Sequence, residues 1–183
     1  MQDADLAARY PALYALQRWE WGGLDAAFST APAPDHMVTN IHVVAYVADR
    51  VVLCRDARDV WFLPGGTREE GESIRGCVDR ELMEEAGARL TGPLVPIGAH
   101  HCVSDRAAPY RPHQPHPHKY WLWCAADAEL VGPPTMPADA EQIVEVCAVP
   151  VVEAGELLLT GGLWLADLVA LSAEIRTGPV RLR

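Results

Sequence analysis

Short apolar runs, each bounded by turn-forming residues, mark the strands in the central part of the chain. Runs rich in β-branched and aromatic residues with such boundaries are typical of strands. They occur at residues 41–47, 51–54, 60–63, 94–99, 120–125 and 143–149. Only three residues, Ala48 to Arg50, separate the first two runs, so this pair predicts a β-hairpin.

Apolar residues at helical spacing lie in three other parts of the chain. In residues 1–28 they predict a helical lead-in that is interrupted at Tyr10-Pro11; they are Leu6, Leu13, Leu16 and Trp19. Residues 29–35, rich in proline and alanine, have the composition of a linker. Ser73 and Gly87 are suited to cap the two ends of a helix over 73–86. A closing helix is predicted over 163–176.

The order of these elements predicts an α/β fold, with a mixed sheet covered by helices on both faces. A length of 183 residues suits a single globular domain. Within it we expect residues 1–36 to form the helical lead-in and linker, and residues 37–183 to form the main domain.

Charge and composition restrict the class of partner. The formal net charge is −10, so the surface should repel the phosphates of long nucleic acids. The most apolar stretch, residues 157–175, is too short and too interrupted to cross a membrane. The five cysteines include no CxxC pair, and the amino terminus carries acidic residues where a secretory signal would carry basic ones. We therefore expect a cytoplasmic protein.

The predicted helix over 73–86 concentrates negative charge beside its apolar stripe. That stripe consists of Ile74, Val78, Leu82 and Ala86. Glu81, Glu84 and Glu85 fall at spacings that bring side chains together, and repulsion costs about 0.2–0.5 kcal/mol per pair. Arg80 neutralises part of this charge, whereas a divalent cation such as Mg²⁺ or Mn²⁺ offers several carboxylate oxygens a common partner. The simpler alternative is a solvated acidic helix face.

The spacing around these acids favours the cation. Gly66 is followed after five residues by Glu72, and after seven more by the run Arg80-Glu81-Leu82-Met83-Glu84-Glu85-Ala86-Gly87. This pattern, GX5EX7REUXEEXGU, is the Nudix box, and over residues 37–149 the chain resembles the Nudix hydrolase, or MutT-like, family. One position departs: Ala88 stands where the pattern has a bulky aliphatic residue.

The resemblance implies a Nudix-type α/β/α sandwich and metal-dependent hydrolysis of the pyrophosphate bond of a nucleoside diphosphate derivative. It implies that Glu81, Glu84 and Glu85 hold Mg²⁺ or Mn²⁺ and position the attacking water, with the carbonyl of Gly65 as a further ligand. In the same comparison, Glu72 and Arg80 form an ion pair that orients these catalytic acids.

The family often adds one acidic residue from outside the box. Glu141 and Glu145 precede the last predicted strand, and we slightly favour Glu145 as the further metal ligand. The alternative is that both are ordinary surface acids.

Five of the seven histidines lie in a proline-rich segment predicted to be a loop from about residue 100 to 118; they are His100, His101, His113, His116 and His118. A zinc site, a substrate-binding loop and a solvated surface loop are all open, although the spacing lacks the paired ligands of zinc fingers. As substrate-binding residues we select Arg106, Arg111, His113 and Lys119, which can meet phosphate or base, and Trp121, which can stack on a base.

Two further functions remain open. One is a nucleotide-sensing Nudix module without significant turnover, and the other is an isomerase on the same fold. The substrate stays unspecified beyond a small-molecule nucleoside diphosphate derivative. The apolar lead-in and several aromatic residues are also compatible with a homodimer.

Overall fold

A computed structural model of the protein describes residues 3–136 and 142–178. The described residues form five α-helices: α1 (Asp3–Arg9), α2 (Pro11–Tyr14), α3 (Ile74–Ala86), α4 (Val151–Leu158) and α5 (Leu163–Thr177). They also form ten strands: β1 (Gln17–Trp19), β2 (Leu24–Ser29), β3 (Val38–Val47), β4 (Arg50–Asp56), β5 (Trp61–Phe62), β6 (Gly65–Thr67), β7 (Ala88–Leu90), β8 (Val95–Ser104), β9 (His118–Leu130) and β10 (Ile143–Pro150). None of the described helices combines the length and apolarity needed to cross a membrane.

The strands form one mixed sheet in the order β1-β2-β8-β9-β3-β4-β10. Strands β3 and β9 run parallel, and the other neighbours in this order are antiparallel. Strands β5, β6 and β7 pair with β4, β3 and β9. The predicted hairpin is confirmed, since β3 and β4 pair from Tyr46 and Val51.

Helices cover both faces of this sheet, which confirms the Nudix-type α/β/α sandwich. On one face α3 packs against a core that includes Cys77, Leu82, Val43 and Cys124. On the other face α1, α2, α4 and α5 share a second core that includes Leu6, Leu13, Val44, Leu158 and Leu168. Among the described α-helices only α3 lies on its side of the sheet, and its other surface carries the acidic residues.

Helix α3 begins and ends where its capping residues predict. The Ser73 hydroxyl accepts a hydrogen bond from the Gly76 N–H at 3.0 Å. Gly87 ends the helix in the left-handed conformation, with a φ of 58°, which a residue with a side chain adopts less readily. The predicted apolar face is buried at Val78, Leu82 and Ala86.

The helical prediction for residues 1–28 was wrong beyond residue 14. Two short helices are followed by strands β1 and β2, and β2 pairs with β8 along its whole length. Residues of β2 alternate between buried and exposed, so their period is two and not 3.6. Leu16, which we placed on the apolar face of a helix, is instead exposed.

The strands around the histidine-rich segment are longer than predicted. Strand β8 continues to Ser104 and therefore contains His100 and His101, while β9 begins at His118. The connecting loop is thus confined to residues 105–117, and the prediction of a loop from residue 100 was wrong. Helix α4 and strands β6 and β7 had no sequence prediction.

Candidate active site

The Arg80 side chain lies at the centre of the acidic cluster on α3. Its Nε donates to Glu72 Oε1 at 2.9 Å and its Nη2 donates to Glu72 Oε2 at 3.1 Å. Its Nη1 donates to Glu81 Oε1 at 2.8 Å and to Glu84 Oε2 at 3.3 Å. Nη2 also reaches the carbonyl oxygen of Thr67 at 3.1 Å. One guanidinium therefore fixes three carboxylates and joins α3 to β6.

Burial and Arg80 together shift the pKa values of Glu72 and Glu81 in opposite directions. The Glu81 side chain is only 12% exposed, and this burial raises its pKa despite the contact with Arg80. Burial also acts to raise the pKa of Glu72, but hydrogen bonds from Arg80 and from the Glu69 N–H outweigh it, and the pKa of Glu72 is lowered. Glu72 is thus held ionised, whereas the contact with Arg80 does not fully offset the cost of burying an ionised Glu81.

Gly65 connects the cluster to the sheet. Its backbone N–H donates to Glu85 Oε2 at 2.9 Å, while its φ of 145° lies in a region that favours glycine. A Cβ at this position would overlap the Ile41 carbonyl oxygen and lie 2.8 Å from Cγ of His42. The close approach of β6 to β3 therefore requires glycine here, and it places Gly65 next to Glu85.

The cluster has the donor chemistry that a hard divalent cation requires. Three carboxylates, those of Glu72, Glu81 and Glu84, contact the single guanidinium of Arg80, and Glu85 adds a fourth carboxylate on the same helix, so negative charge is in excess. Oxygen donors in this number suit Mg²⁺ or Mn²⁺. Within residues 3–136 and 142–178, no three acidic, histidine or cysteine side chains are already arranged around a common ion position. Glu81 and Glu84 each contact Arg80 through one of their two carboxylate oxygens.

Glu145 is not brought to this cluster. Its Oε2 accepts hydrogen bonds from Arg55 Nε at 3.0 Å and Nη2 at 2.6 Å. The next residue, Val146, packs against the core on the α3 side, so strand alternation directs Glu145 to the opposite face. This geometry does not support Glu145 as a metal ligand. Glu141, the other candidate, lies outside the described residues.

A cleft of about 800 Å³ adjoins the acidic cluster and contains three of the predicted substrate residues. Its polar and aromatic lining includes Trp21, Asn40, Thr67, Arg106, Tyr110, Lys119 and Trp121. The carbonyl oxygen of Thr67 also accepts the hydrogen bond from Arg80, so Thr67 connects the cleft to the acidic cluster. Partial burial lowers the pKa of Lys119. The cleft therefore offers two cationic side chains and several aromatic ones beside the acids. We call it the outer cleft.

The other two predicted substrate residues are not among those that line the outer cleft. His113 lines a separate depression with His36 and Gln114. The Arg111 guanidinium lies beside the cleft, 6.0 Å from the centre of the Tyr110 ring.

The remaining histidines do not form a zinc site in the described part of the chain. His101 Nε2 and His118 Nδ1 lie 3.1 Å apart in a stacked pair on neighbouring strands. His100 is fully buried, and its Nδ1 accepts a hydrogen bond from Trp123 Nε1 at 2.9 Å. His116 contacts the carbonyl oxygen of Arg106 at 2.8 Å. These contacts join strands and loop, whereas Nε2 of His100 is buried without a hydrogen-bond partner among the described residues.

Several residues near the site were missed from the sequence. Trp21 and Asn40 line the outer cleft, and His42 stacks on both Trp121 and Trp123. No local motif marks these positions. The alternation of even-numbered residues along β3 is the signal that could have placed Asn40 and His42 on one face.

Comparison with known proteins agrees with this geometry. A family model described as NUDIX domain matches residues 36–171, which is more than half of the chain. An uncharacterised Nudix hydrolase of Bacillus subtilis, YvcI, is 42% identical over 57 residues, or 31% of this chain and 35% of that protein. The chain thus matches about a third of the length of this curated relative.

Solved structures show the same fold at low sequence identity. An ADP compounds hydrolase aligns with a TM-score of 0.52 at 15% identity, over 90% of this chain and 92% of that one. The Bacillus subtilis pyrophosphohydrolase BsRppH, in a mutant form, has a TM-score of 0.50 at 18% identity, over 68% and 70% of the two chains. A UDP-X diphosphatase has a TM-score of 0.50 at 16% identity, over 84% and 68%.

Three findings lead to one conclusion. They are the box carboxylates on α3, the α/β/α sandwich around them and the family match over residues 36–171. This chain belongs to the NUDIX domain family.

Proposed function

We propose that the protein hydrolyses the pyrophosphate bond of a nucleoside diphosphate derivative and that it depends on Mg²⁺ or Mn²⁺. The observation that carries this proposal is that Glu81 and Glu84 both contact Arg80 on α3, while Glu85 on the same helix accepts a hydrogen bond from the N–H of Gly65. Proteins with the same fold include a pyrophosphohydrolase, an ADP compounds hydrolase and a UDP-X diphosphatase. A phosphoanhydride substrate for this chain is in line with these names.

In this proposal Glu81, Glu84, Glu85 and the carbonyl of Gly65 would hold the ion. When bound, Mg²⁺ or Mn²⁺ lowers the pKa of bound water and offsets the charge on phosphoryl oxygens. The chain's own residues prepare this site. Arg80 anchors Glu72 through two hydrogen bonds and keeps Glu81 close to β6, while the Gly65 N–H orients Glu85. Glu72 and Arg80 are thus positioning residues.

The outer cleft would receive the nucleotide. Arg106 and Lys119 offer positive charge to phosphate oxygens, which the net negative surface would otherwise repel. Trp21 and Trp121, with ring centres 5.6 Å apart, offer flat surfaces to the organic part of the substrate. Because Thr67 lines the cleft and also contacts Arg80, a nucleotide in the cleft lies next to the acidic cluster.

Turnover of a nucleotide panel tests the proposal. The purified protein is incubated with nucleotide sugars, dinucleotides and nucleoside triphosphates in Mg²⁺ or Mn²⁺, and products are identified by chromatography. We expect cleavage of a phosphoanhydride bond in at least one substrate, and loss of that activity in EDTA. Glu84→Gln and Glu85→Gln should each lower kcat by about 100-fold or more, since even outer contacts to a metal site are worth about 10–100-fold.

Asp79→Asn is the matched control on the same helix, because this side chain is exposed and contacts Arg75 away from the cluster. It should leave kcat within about two-fold of the wild type. Full activity in both glutamate variants would refute the mechanism. Ligand-induced stabilisation without any product would instead favour the alternative, a nucleotide-sensing module. The complete set of box carboxylates favours the hydrolase. The homodimer and the cytoplasmic location stay predictions.

A further inference from the structure

The loop that joins β6 to α3, residues 68–73, is closed by hydrogen bonds between its own residues. Arg68 Nε donates to the carbonyl oxygen of Glu72 at 2.5 Å. The Glu72 N–H donates to the carbonyl oxygen of Glu69 at 3.2 Å, and the Glu69 N–H donates to Glu72 Oε2 at 2.9 Å. We call this segment the box loop. It presents Glu72 to Arg80, so its shape decides where that ion pair forms.

Arg68 also binds the segment of chain that precedes β3. Its Nη1 donates to the carbonyl oxygen of Asp35 at 2.9 Å, and its Nη2 donates to Asp35 Oδ1 at 3.0 Å. The Arg68 side chain is only 17% exposed. One guanidinium thus binds three acceptor oxygens, two on Asp35 and one on Glu72 in the box loop. We call the Arg68–Asp35 pair the clasp.

Asp35 lies outside the part of the chain that the family model matches. That match begins at residue 36, and Asp35 starts the short 3₁₀ helix Asp35–Met37 before β3. The sequence alone assigned this residue to a linker. The clasp gives it a direct contact with the loop that carries the first acidic residue of the box. The segment before the matched region is therefore attached to the candidate active site.

Two features of the box loop would let it open without the clasp. Glu69, Glu70 and Glu72 place three carboxylates within four residues, and like charges this close repel each other. Gly71 has a φ of 75°, and glycine leaves the backbone more conformational freedom than other residues do. Arg68 places positive charge at the base of the loop and binds its closing carbonyl. Loss of the clasp should therefore let Glu72 move.

Movement of Glu72 would be passed on to the proposed metal ligands. Glu72 binds Arg80 through both carboxylate oxygens, at 2.9 and 3.1 Å. Arg80 in turn contacts Glu81 at 2.8 Å and Glu84 at 3.3 Å. An arginine that loses its fixed partner no longer holds these two carboxylates in one arrangement. Consecutive contacts thus lead from Asp35 to the acidic cluster.

We propose that Asp35 and Arg68 are positioning residues of the active site. They hold the box loop so that Glu72 keeps Arg80, and through it Glu81, in one arrangement. The inference rests on the proposed function and adds two residues that the box pattern does not specify. The clasp acts only through Glu72, and neither of its residues touches the substrate or the metal.

The simpler interpretation is that the clasp only joins two parts of the fold. Strand pairing already joins them, because β6 pairs with β3 at each of its three residues. The Arg68 N–H also donates to the carbonyl oxygen of Thr39 at 2.8 Å, a backbone contact that does not depend on the side chain. The guanidinium instead reaches the carbonyl of Glu72. These contacts favour a role in positioning Glu72 over a role in folding.

Exchange of the Arg80 Nε–H with water tests the clasp without metal or substrate. Nuclear magnetic resonance follows this signal in the full-length protein in EDTA, and Arg80→Lys identifies the signal by removing it. Arg68→Gln removes the guanidinium, so the exchange should become about ten-fold faster, the effect of about one lost hydrogen bond to a charged group. Asp35→Ala removes one acceptor and should act less strongly in the same direction. Asp35→Asn keeps Oδ1 and should restore slow exchange.

Mn²⁺ affinity tests whether the effect reaches the acidic cluster. Free Mn²⁺ is measured by electron paramagnetic resonance during a titration without substrate. Arg68→Gln should raise the Kd about ten-fold, as removal of contacts that support metal ligands does. Electrostatics alone predicts the opposite sign, since loss of a positive charge near the cluster strengthens the attraction of a cation. The sign of the change in Kd therefore separates positioning from charge.

Arg75→Gln is the matched control for charge. Arg75 lies on α3, is 52% exposed and pairs with Asp79 away from the cluster. Its replacement removes the same charge and no contact of the clasp. The Arg80 Nε–H should then exchange as in the wild type, and the Kd for Mn²⁺ should not rise. Circular dichroism verifies folding, and if Arg68→Gln does not fold, the comparison of Asp35→Ala with Asp35→Asn decides.

The assignment is overturned if folded Arg68→Gln keeps the slow Arg80 exchange, or if it binds Mn²⁺ at least as tightly as the wild type. It is also overturned if Asp35→Ala leaves both measurements unchanged. These results are separable from the fate of the hydrolase proposal. A wild type that binds no Mn²⁺, with faster Arg80 exchange in the variants, would refute the metal-dependent hydrolase and keep the positioning role. Turnover of the panel with unchanged Arg80 exchange would do the reverse.

Discussion

The carboxylate of Glu81 occupies the space that a side chain on Gly66 would need. A Cβ built on Gly66 would lie 2.6 Å from Cδ of Glu81. Glu81 is one of the proposed metal ligands and is mostly buried. It can take this position because Gly66 has no side chain. The first glycine of the box is thus required by a side chain of α3, fifteen residues later in the sequence.

Gly66→Ala should therefore damage the site more than the fold. Only the flexible end of Glu81 meets the new methyl group, so we expect the free energy of unfolding to change by less than about 1 kcal/mol. The carboxylate must move, and displacements of about 1 Å can cost about 100-fold in rate. Steady-state kinetics and thermal unfolding measure the two effects. Gly92→Ala is the control, since its Cβ would make an ordinary contact 3.7 Å from Asp127. Equal activity in both variants would contradict the prediction.

Arg80→Lys should lower both stability and activity. The guanidinium binds both oxygens of Glu72 together with Thr67 and Glu81, a geometry that an ammonium group cannot reproduce. Loss of these partly buried hydrogen bonds should cost about 1–3 kcal/mol in the free energy of unfolding, measured by urea denaturation.

The control for this change lies on the same helix. Arg75 is 52% exposed and forms an exposed ion pair with Asp79, so Arg75→Lys should change stability by less than about 0.5 kcal/mol. Similar losses of stability in Arg75→Lys and Arg80→Lys would contradict the prediction. They would mean that the Arg80 hydrogen bonds stabilise the fold no more than the exposed ion pair of Arg75 does.

Glu81→Gln should stabilise the metal-free protein at neutral pH. Burial raises the pKa of Glu81 above its ordinary value of 4.5, so its ionised form subtracts from stability at pH 7. Glutamine keeps an oxygen for Arg80 and removes the charge. The stability difference between variant and wild type should shrink as the pH falls toward 4.5, because folded Glu81 then binds its proton. Thermal unfolding in EDTA from pH 7.5 to 4.5 measures this difference.

Added Mg²⁺ should reverse the order of the same two proteins. At a free concentration of 100 times its Kd, an ion that binds only the folded wild type adds about 2.7 kcal/mol, and Glu81→Gln should lose most of this gain. Equal stabilisation of both proteins by Mg²⁺ would mean that Glu81 is not a ligand. A wild type that is already more stable than the variant in EDTA would contradict the pKa argument.

The elements predicted correctly are those whose signals lie within a few residues. Ser73, the apolar stripe and Gly87 mark both ends and the buried face of α3 within one stretch of chain. The β3–β4 hairpin likewise depends on a short local turn. The lead-in was misread because β2 becomes a strand through pairing with β8, about 75 residues later, and no local pattern contains that partner.

The sequence by itself determined the acidic helix and the identity of its carboxylates, because residues three and four apart on a helix must lie side by side whatever surrounds them. Only the tertiary structure decided which other residues join them. It paired Glu145 with Arg55, placed His113 in a separate depression, and assembled the outer cleft from residues of β3, β6, β9 and the loop over 105–117. Strand pairing and side-chain direction bring those residues together from distant parts of the chain, and neither is encoded at any single position.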